Sequence, residues 1–370
     1  MKILADARLL ARGEVSGIEG YTRNLFNSLL AADKENEYWF FYNGFKKRLL
    51  NSQVSIGSSR VINWRIPNKI FDFSSRFLGW PDLGARFKAD IVFSPHFNIL
   101  AGRTAPRVIT FHDLSFLHHP DFFSWRQRFW HWLQNIKKQA KVAEKIIAVS
   151  EFTKNDLINT LGVPPEKIKV VYSGITEDFR PIVGQQSPLP NPYILYLGTL
   201  EPRKNVIALI RAFNVLKSDS VFKDFKLILA GRRGWLYDSI LKEAGRSFYK
   251  QDIIFWGPVS HEEKIRLYSF ARVFVYPSFF EGFGFPPLEA QACGCPVIVA
   301  DRTSLPEIMG QSAVLVDPWK TSDMFEAIKK ILLDTHFREK LILAGLENIK
   351  RFSWQNTARA TISIFKSLYA

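Results

Sequence analysis

The sequence predicts an α/β protein built from two doubly wound, parallel-sheet domains in tandem. A chain of 370 residues is too long for one ordinary hydrophobic core. Short apolar runs alternate with amphipathic stretches almost from end to end, which is typical of a parallel sheet covered by helices on both faces. The alternation stops at residues 176–192, where four prolines occur without apolar periodicity. We interpret this segment as an interdomain linker.

In the first half, short apolar runs rich in β-branched and aromatic residues predict the strands, and helical spacing of apolar residues predicts the helices. The predicted strands are 2–4, 38–42, 91–94, 107–111, 145–149 and 169–172. The predicted helices are 20–32, 125–143 and 153–161.

The same alternation restarts after the linker. In 206–216, for example, Val206, Ile210 and Phe213 recur at helical spacing. The predicted strands are 193–197, 226–230, 252–256, 273–276, 296–300 and 313–316. The predicted helices are 206–216, 237–248, 262–271, 287–292 and 322–333.

Composition and charge indicate which ligands the protein is suited to bind and in which compartment it is found. The formal net charge is +15 and is spread over both halves, which favours polyanionic ligands such as diphosphates, or anionic membrane surfaces, over a nucleic-acid-binding arm. The two cysteines, Cys293 and Cys295, are too close in sequence for an ordinary disulfide and too few for a zinc site. With an early charge at Lys2 and no long apolar run, we expect a cytoplasmic protein without a signal peptide or membrane span.

A cationic turn follows the first predicted strand of the second half. Gly198 permits a sharp exit from that strand, and Arg203 and Lys204 precede the next helix. Two cations beside the positive end of a helix dipole suit a diphosphate. The alternative is a solvated charged turn.

A glycine-bearing carboxylate loop follows the 273–276 strand. Glu281 and Glu289 are separated by seven residues, and Gly282 and Gly284 let backbone N–H groups approach a ligand closely. We expect Glu281 to contact sugar hydroxyls and Glu289 to contact ribose hydroxyls. The alternative for Glu289 is an ordinary exposed helix residue. The loop is not a dinucleotide fingerprint, because Pro287 stands where the third glycine would be required.

These segments resemble family 4 of the retaining glycosyltransferases (glycosyl transferases group 1), in particular its mannosyltransferases. Glu281 and Glu289 match the family's E-x7-E motif, and Glu-Pro-Arg-Lys-Asn at 201–205 resembles its phosphate-binding segment. Further similarity occurs at 111–114, 148–153, 292–297 and 352–354, so the resemblance covers nearly the whole chain.

The resemblance implies a GT-B fold, in which two Rossmann-like domains face a central cleft. The expected domains are an acceptor-side domain at 1–178 and a sugar-nucleotide-binding domain at 193–350, with a C-terminal helix in 351–370 packing back on the first. Catalytic roles are implied for His112, Arg203, Lys204 and Glu281. Donor-binding roles are implied for Gly17, Gly198, Val259, Gly282, Phe283, Gly284, Leu288 and Glu289.

Two of these residues belong to the first domain. Gly17 lies in a loop after the first strand, and related enzymes use such a loop to approach the donor phosphates. The match there is imperfect, because Glu19-Gly20 precedes Tyr21 where relatives often carry Gly-Arg. His112 ends the 107–111 strand, where an imidazole suits proton or hydroxyl contacts near neutral pH. A lone histidine is more often structural, but its position and the resemblance favour function.

We expect no metal cofactor. Five of the seven histidines lie between His96 and His131, but His118 and His119 are adjacent and no Asp/Glu cluster has ligand spacing. The chain also contains no Asp-x-Asp sequence that would bridge a metal to a diphosphate.

The stretch from Trp125 to Lys145 mixes aromatic and basic residues and has two interpretations. It fits a helix lying on an anionic membrane, where related enzymes meet lipid-linked acceptors. It also fits a helix whose Trp125, Phe129, Leu133 and Ile136 face the sheet and leave a basic outer face. We favour the second, and keep peripheral contact with the inner face of the cytoplasmic membrane as a secondary prediction.

The predicted function is retaining transfer of a sugar, first of all mannose, from a nucleoside-diphosphate sugar to a saccharide or lipid-linked saccharide in cell-surface polysaccharide synthesis. Acceptor pockets are expected in first-domain loops, roughly residues 43–88. One alternative is a nucleotide-sugar epimerase of the same fold, which would convert the donor without an acceptor. Another is a non-catalytic sugar-nucleotide-binding subunit, which would bind donor without releasing nucleotide.

Overall fold

The computed structural model describes residues 1–12, 17–43, 54, 59–102 and 104–369. The chain divides into two units: unit 1 contains Met1–Gly174 together with Ser353–Ala370, and unit 2 contains Ile175–Phe352. The proline-containing segment 176–192 is therefore grouped with unit 2. Part of the predicted acceptor-loop region, 44–53 and 55–58, lies outside the described residues.

Unit 1 contains a seven-stranded sheet in the order β3-β2-β1-β4-β5-β6-β7, and every adjacent pair is parallel. Its strands are β1 (Lys2–Asp6), β2 (Glu37–Tyr42), β3 (Arg60–Asn63), β4 (Ile91–Ser94), β5 (Arg107–Phe111), β6 (Lys145–Ala148) and β7 (Ile168–Val170). Its first helices are α1 (Gly17–Ala32), α2 (Asn68–Phe77), α3 (Leu83–Phe87), α4 (Ser115–His118), α5 (Trp125–Gln134), α6 (Ile136–Val142) and α7 (Glu151–Leu161). The central strands β4 and β5 are buried throughout, as expected of a parallel sheet with both faces covered.

Unit 2 contains a six-stranded parallel sheet in the order β10-β9-β8-β11-β12-β13. Its strands are β8 (Tyr193–Leu197), β9 (Lys226–Ala230), β10 (Ile253–Gly257), β11 (Val273–Tyr276), β12 (Val297–Ala300) and β13 (Val314–Val316). Its helices are α8 (Val206–Lys217), α9 (Asp238–Arg246), α10 (His261–Phe270), α11 (Phe285–Ala292), α12 (Leu305–Met309), α13 (Thr321–Leu333) and α14 (Thr335–Asn348).

Both sheets share one winding pattern. In each, the first strand lies beside the second on one side and the fourth on the other, so the order reverses there. This is the strand order of Rossmann-like domains, and ligands of such sheets bind outside the carboxyl ends of the strands at that reversal. The predicted fold class of two Rossmann-like parallel-sheet domains is confirmed, and each predicted strand lies within two residues of an observed one.

The C-terminal helix, α15 (Trp354–Lys366), belongs to unit 1 and packs on α1. The approach is close at Gly174, where an added Cβ would lie 2.1 Å from the Trp354 backbone nitrogen. The Thr357 hydroxyl donates to the Tyr172 carbonyl oxygen at 2.8 Å, and the Phe365 ring packs edge-on against Phe93 at 5.2 Å. A glycine at 174 is therefore required for the start of this helix to pack against the segment that follows β7.

The predicted single helix over 125–143 is wrong. Asn135 adopts a left-handed conformation (φ 47°, ψ 55°) and separates α5 from α6. Asparagine tolerates this conformation better than most residues, because its short polar side chain pairs locally. The favoured interpretation, in which Trp125, Phe129, Leu133 and Ile136 all face the sheet, is also wrong: Leu133 and Ile136 are buried, but Trp125 and Phe129 face solvent.

Strand β3 and helices α2, α3, α4, α12 and α14 were not predicted. Strand β3 is an edge strand of only four residues, partly exposed along its length, so it lacks the buried apolar run of the central strands. Within the described residues, no helix combines the length and the apolar character needed to cross a bilayer.

Candidate active site

Two loops of unit 2 meet where its strand order reverses. One follows β8 and carries residues 198–205; the other follows β11 and carries residues 277–284. The Phe279 backbone N–H donates to the Arg203 carbonyl oxygen at 2.8 Å, and the Ser278 hydroxyl oxygen lies 3.2 Å from the same carbonyl oxygen. These contacts hold the cationic turn and the carboxylate loop in one rigid arrangement.

A buried ion pair lies at the centre of this arrangement. The Lys204 ammonium donates to the Glu281 carboxylate and, at 2.7 Å, to the Tyr276 hydroxyl. The side chains of Lys204 and Glu281 are only 8 % and 10 % exposed, so solvent screens their interaction weakly. The Ser278 hydroxyl donates to the same Glu281 oxygen at 2.6 Å.

The pKa values of both groups move downward. Burial and the nearby Arg203 charge lower the pKa of Lys204, although the carboxylates of Glu281 and Glu201 oppose the change. Burial alone would raise the pKa of Glu281, but the charges of Lys204 and Arg203 and two hydrogen bonds outweigh it. The Glu281 carboxyl is therefore held as a carboxylate.

Arg203 joins the ion pair to a second carboxylate. Its guanidinium contacts one oxygen of Glu201 through Nε and Nη2, both at 3.0 Å, and donates to the Phe280 carbonyl oxygen at 2.8 Å. Its Nη1 lies 3.6 Å from Glu281 Oε2. Its side chain is more exposed than that of Lys204. Arg203 therefore presents the more accessible of the two positive charges.

The turn carrying these cations leads directly into α8. Residues Pro202–Lys204 form one turn of 3-10 helix, and Asn205 then adopts a left-handed conformation (φ 56°) before Val206. Two fixed cations thus lie next to a helix N-terminus, where free N–H groups and the helix dipole favour an anion. The arrangement can bind a phosphate group and stabilise negative charge that develops on it.

Glycine allows the strand ends beside the turn to approach each other. Gly231, at the end of β9, has φ +130°, and an added Cβ would lie 2.0 Å from the Gly198 carbonyl oxygen. Gly284 has φ +94° and immediately precedes α11. A side chain at Gly231 would collide with the Gly198 backbone, and a side chain at Gly284 would be strained because residues other than glycine rarely adopt its positive φ.

Glu289 lies one turn into α11 and is not an ordinary exposed helix residue. Its carboxylate accepts from the Lys264 ammonium at 3.0 and 3.1 Å and from the Tyr268 hydroxyl at 3.1 Å. Lys264 and Tyr268 stand one helical turn apart on α10 and so share a face. The two carboxylates of the E-x7-E motif therefore bind different cations.

The remaining predicted donor-binding residues of unit 2 lie in the loop before α10, in the carboxylate loop and in α11. Val259 is half-buried in the loop between β10 and α10. Gly282 is buried beside Glu281. Phe283 packs against Phe285 and Phe352, and the Leu288 side chain is wholly buried in α11. For these residues the donor-binding role remains a prediction.

The other two predicted residues belong to unit 1. Gly17 is exposed at the first position of α1. His112 follows β5 and is buried, with Nε2 donating to the Pro95 carbonyl oxygen at 2.8 Å and the ring edge-on to Tyr21 at 4.7 Å. Burial lowers the pKa of His112, so its imidazole is neutral at pH 7 and Nδ1 carries the lone pair.

Several residues that build the site were missed at the sequence level. Tyr276 and Ser278 contact the ion pair from the carboxyl end of β11, and Glu201 holds Arg203. The rule that ligands bind at the carboxyl ends of strands singles out Tyr276 and Ser278. The four-residue spacing of Lys264 and Tyr268 was a signal for a shared helical face, but nothing in the sequence paired that face with Glu289.

The described residues also bear on metal and thiol chemistry. Within the described ranges, no three His, Cys, Asp or Glu side chains come together as a metal-ion ligand set. Metal independence itself stays a prediction. Cys293 and Cys295 are buried free thiols, and burial raises the pKa of Cys293 to about 12.

Comparisons with known proteins agree with this arrangement. The profile described as "Glycosyltransferase Family 4" matches residues 15–179, and the profile described as "Glycosyl transferases group 1" matches residues 182–347. The first match covers most of unit 1 before α15, and the second covers nearly all of unit 2.

Three individual proteins illustrate the similarity. O-antigen chain mannosyltransferase B of Escherichia coli is 33 % identical over 290 residues, 76 % of this chain and 75 % of that protein. Serotype-specific mannosyltransferase WbdA of Escherichia coli is 30 % identical over 270 residues, 70 % of this chain but 33 % of that longer protein. The structure of Anabaena Alr3699/HepE in complex with UDP and glucose superposes with a TM-score of 0.75 at 19 % identity, covering 99 % of this chain and 100 % of that one. The last similarity shows a shared fold.

Proposed function

Because the chain belongs to the glycosyl transferases group 1 family, and is a glycosyltransferase of GT-B fold, we propose that it transfers mannose from GDP-mannose with retention of anomeric configuration. The acceptor is a saccharide or lipid-linked saccharide in cell-surface polysaccharide synthesis. Two of the similar proteins are named mannosyltransferases, and one of these names refers to an O-antigen chain, which supports both the sugar and the pathway class. The family and the names of these two similar proteins support a transferase over the two alternatives, an epimerase and a non-catalytic subunit.

The observation that carries the proposal is the contact of Lys204 with Glu281 beside Arg203. We assign Arg203 and Lys204 to the donor diphosphate, where their charges stabilise the departing nucleotide. A nucleoside-diphosphate donor is supported by the complex of HepE with UDP and glucose, a protein that shares this fold. Glu281 orients the transferred sugar and Glu289 the ribose.

The chemical step that we propose involves no bond between protein and sugar. The C1–oxygen bond of the donor breaks, and the electron pair leaves with the diphosphate. The acceptor hydroxyl attacks C1 from the same face, and its proton passes to the departing phosphate oxygen. The cations Arg203 and Lys204 compensate charge on the leaving group, and no metal ion takes part.

The direct test is an activity assay with a panel of nucleotide sugars and short mannosyl acceptors, with the product identified by NMR. We expect turnover with GDP-α-mannose above all other donors, release of GDP, and an α-linked product. A β-linked product would contradict retention. Preference for another donor would contradict the assignment of mannose. Conversion of the donor without an acceptor would instead support the alternative function, a nucleotide-sugar epimerase.

Glu289 provides a prediction specific to donor binding. Replacing Glu289 by Gln removes the charge that accepts from Lys264 and Tyr268 and, on this proposal, the ribose contact. A lost hydrogen bond to a charged group costs roughly 1.5–3 kcal/mol, so we expect the donor KM to rise about 10- to 100-fold with kcat nearly unchanged. Steady-state kinetics with varied donor measure this.

The matched control is Tyr268→Phe, which removes only one donor to Glu289 and leaves its carboxylate in place. We expect a rise in donor KM of less than about fivefold, since the Glu289 carboxylate keeps its charge, its Lys264 partner and, on this proposal, its contact with the ribose. A fall in kcat at constant KM for Glu289→Gln would place Glu289 at the transferred sugar instead.

A further inference from the structure

Two helices of unit 1 present large apolar side chains to solvent. On α2 the residues are Ile70, Phe73 and Phe77, and on α5 they are Trp125, Phe129 and Trp132. All six are between 52 % and 68 % exposed. Their spacings of three and four residues place each set on one face of its helix. We call these six residues, with the cations on the same two helices, the aromatic–cationic face.

The two helices form one continuous surface. The Phe73 ring lies 4.6 Å from Phe77, Phe77 lies 6.4 Å from Trp132, and Trp132 stacks with Phe129 at 5.6 Å. The Arg76 guanidinium covers the Trp132 ring at 4.4 Å and so links α2 to α5. Scattered exposed apolar side chains need no explanation, but a contiguous group of this size marks an interaction site.

The charge on this face has one sign. Lys69 and Arg76 lie on α2, and Arg126 and Arg128 lie on α5. The one acidic residue in either helix is Asp72, which is buried and paired with Arg8. The surface therefore combines aromatic rings with cations and presents no carboxylate from either helix.

We infer that the aromatic–cationic face docks on an anionic phospholipid bilayer. Tryptophan and phenylalanine partition into the boundary between headgroups and acyl chains, and arginine and lysine beside them pair with lipid phosphates. A second copy of the chain fits this surface poorly, because self-association would bring two cationic surfaces together. The inference does not depend on the donor sugar or on the roles of Arg203 and Glu281.

Vesicle cosedimentation of the full chain tests this surface. Vesicles of phosphatidylcholine with about 30 mol % phosphatidylglycerol are compared with phosphatidylcholine alone. We expect at least about tenfold stronger binding to the anionic vesicles, weakening as salt is raised. Arg126→Gln with Arg128→Gln is expected to weaken that binding about 30-fold, since each cation near an anionic surface contributes about fivefold.

Trp125→Ser with Phe129→Ser is expected to abolish vesicle binding. The matched control is Phe248→Ser, which removes a fully exposed aromatic ring of unit 2 and is expected to leave binding unchanged. Thermal stabilisation by nucleotide sugar should be the same in both variants, which separates loss of docking from loss of fold or donor binding.

Three results would overturn the inference. One is equal binding of the native chain to neutral and anionic vesicles. Another is equal binding of the Trp125/Phe129 and Phe248 variants to anionic vesicles. The third is light scattering that shows a dimer dissociated by the Trp125/Phe129 substitutions, without vesicle binding, which would assign the face to a second copy of the chain.

Discussion

Replacing Lys204 by Met is expected to lower kcat by about 100- to 1000-fold, the usual loss when one fixed charge or hydrogen-bond donor is removed from a developing anion. Lys204 is tied to Glu281 and Tyr276, so its ammonium is already positioned before a donor binds. Methionine keeps most of the side-chain volume and removes the charge together with the N–H donors to Glu281 and Tyr276. Single-turnover kinetics at saturating donor measure the effect on the chemical step.

The same substitution should also destabilise the protein. Removing one partner of a buried ion pair costs up to about 3–5 kcal/mol, and here Glu281 would keep only the more distant Arg203 as a cationic partner. Lys204→Met combined with Glu281→Gln removes both charges and should recover most of that stability without recovering activity. Arg211→Met, in the exposed pair with Glu243, is the control and should cost less than about 1 kcal/mol with normal kcat. Recovery of activity in the double variant would mean that the loss came from misfolding.

The lowered pKa of Lys204 also predicts how kcat depends on pH. The protonated ammonium is the active form, so kcat should fall as the pH rises through its pKa. Since burial and Arg203 lower that pKa, the decline should begin below the value near 10.4 of an exposed lysine. Lys204→Arg should be slower but free of this decline, because guanidinium stays protonated. A flat native profile up to about pH 10.5 would contradict a catalytic role for the ammonium.

Replacing Glu281 by Gln is expected to lower kcat by about 100-fold while the donor KM stays constant or falls. Glutamine can still accept from Ser278 and Lys204, so the loop geometry is retained. The substitution removes one negative charge beside Arg203 and Lys204, which favours binding of the anionic donor. We therefore attribute the loss of kcat to poorer orientation of the transferred sugar.

Glu289→Gln is the natural comparison for this variant, because the two carboxylates belong to one motif and are expected to have opposite kinetic effects. Steady-state kinetics of both variants with the same donor provide the measurement. If Glu281→Gln raised the donor KM and left kcat unchanged, Glu281 would be a binding residue and the assignment of the two carboxylates would be reversed.

The sequence was sufficient to place both loops of the site. The alternation of buried strands and helices located β8 and β11, and parallel sheets gather ligands at strand carboxyl ends. Arg203, Lys204 and Glu281 were predicted there, and the structure brings them into contact. Their partners Tyr276, Ser278 and Glu201 could not be paired in advance, because those contacts depend on the course of each loop after the strand ends.

The buried side of α5 could not be predicted from the sequence. Trp125, Phe129, Leu133 and Ile136 fit one helical stripe, and that pattern predicted a buried face. The left-handed Asn135 ends the helix first, and only Leu133 and Ile136 are buried. Periodicity therefore identified a helix but not its buried side, since Trp125 and Phe129 are exposed although they lie on the same helix as the buried Leu133.

The most direct test of the central claim is a crystal structure of the protein with an intact nucleotide sugar. We expect diphosphate oxygens within hydrogen-bonding distance of the Arg203 guanidinium and the Lys204 ammonium, with the Glu281 carboxylate on the sugar. A diphosphate bound elsewhere, with Arg203 still paired to Glu201 and Lys204 still paired to Glu281, would contradict the claim.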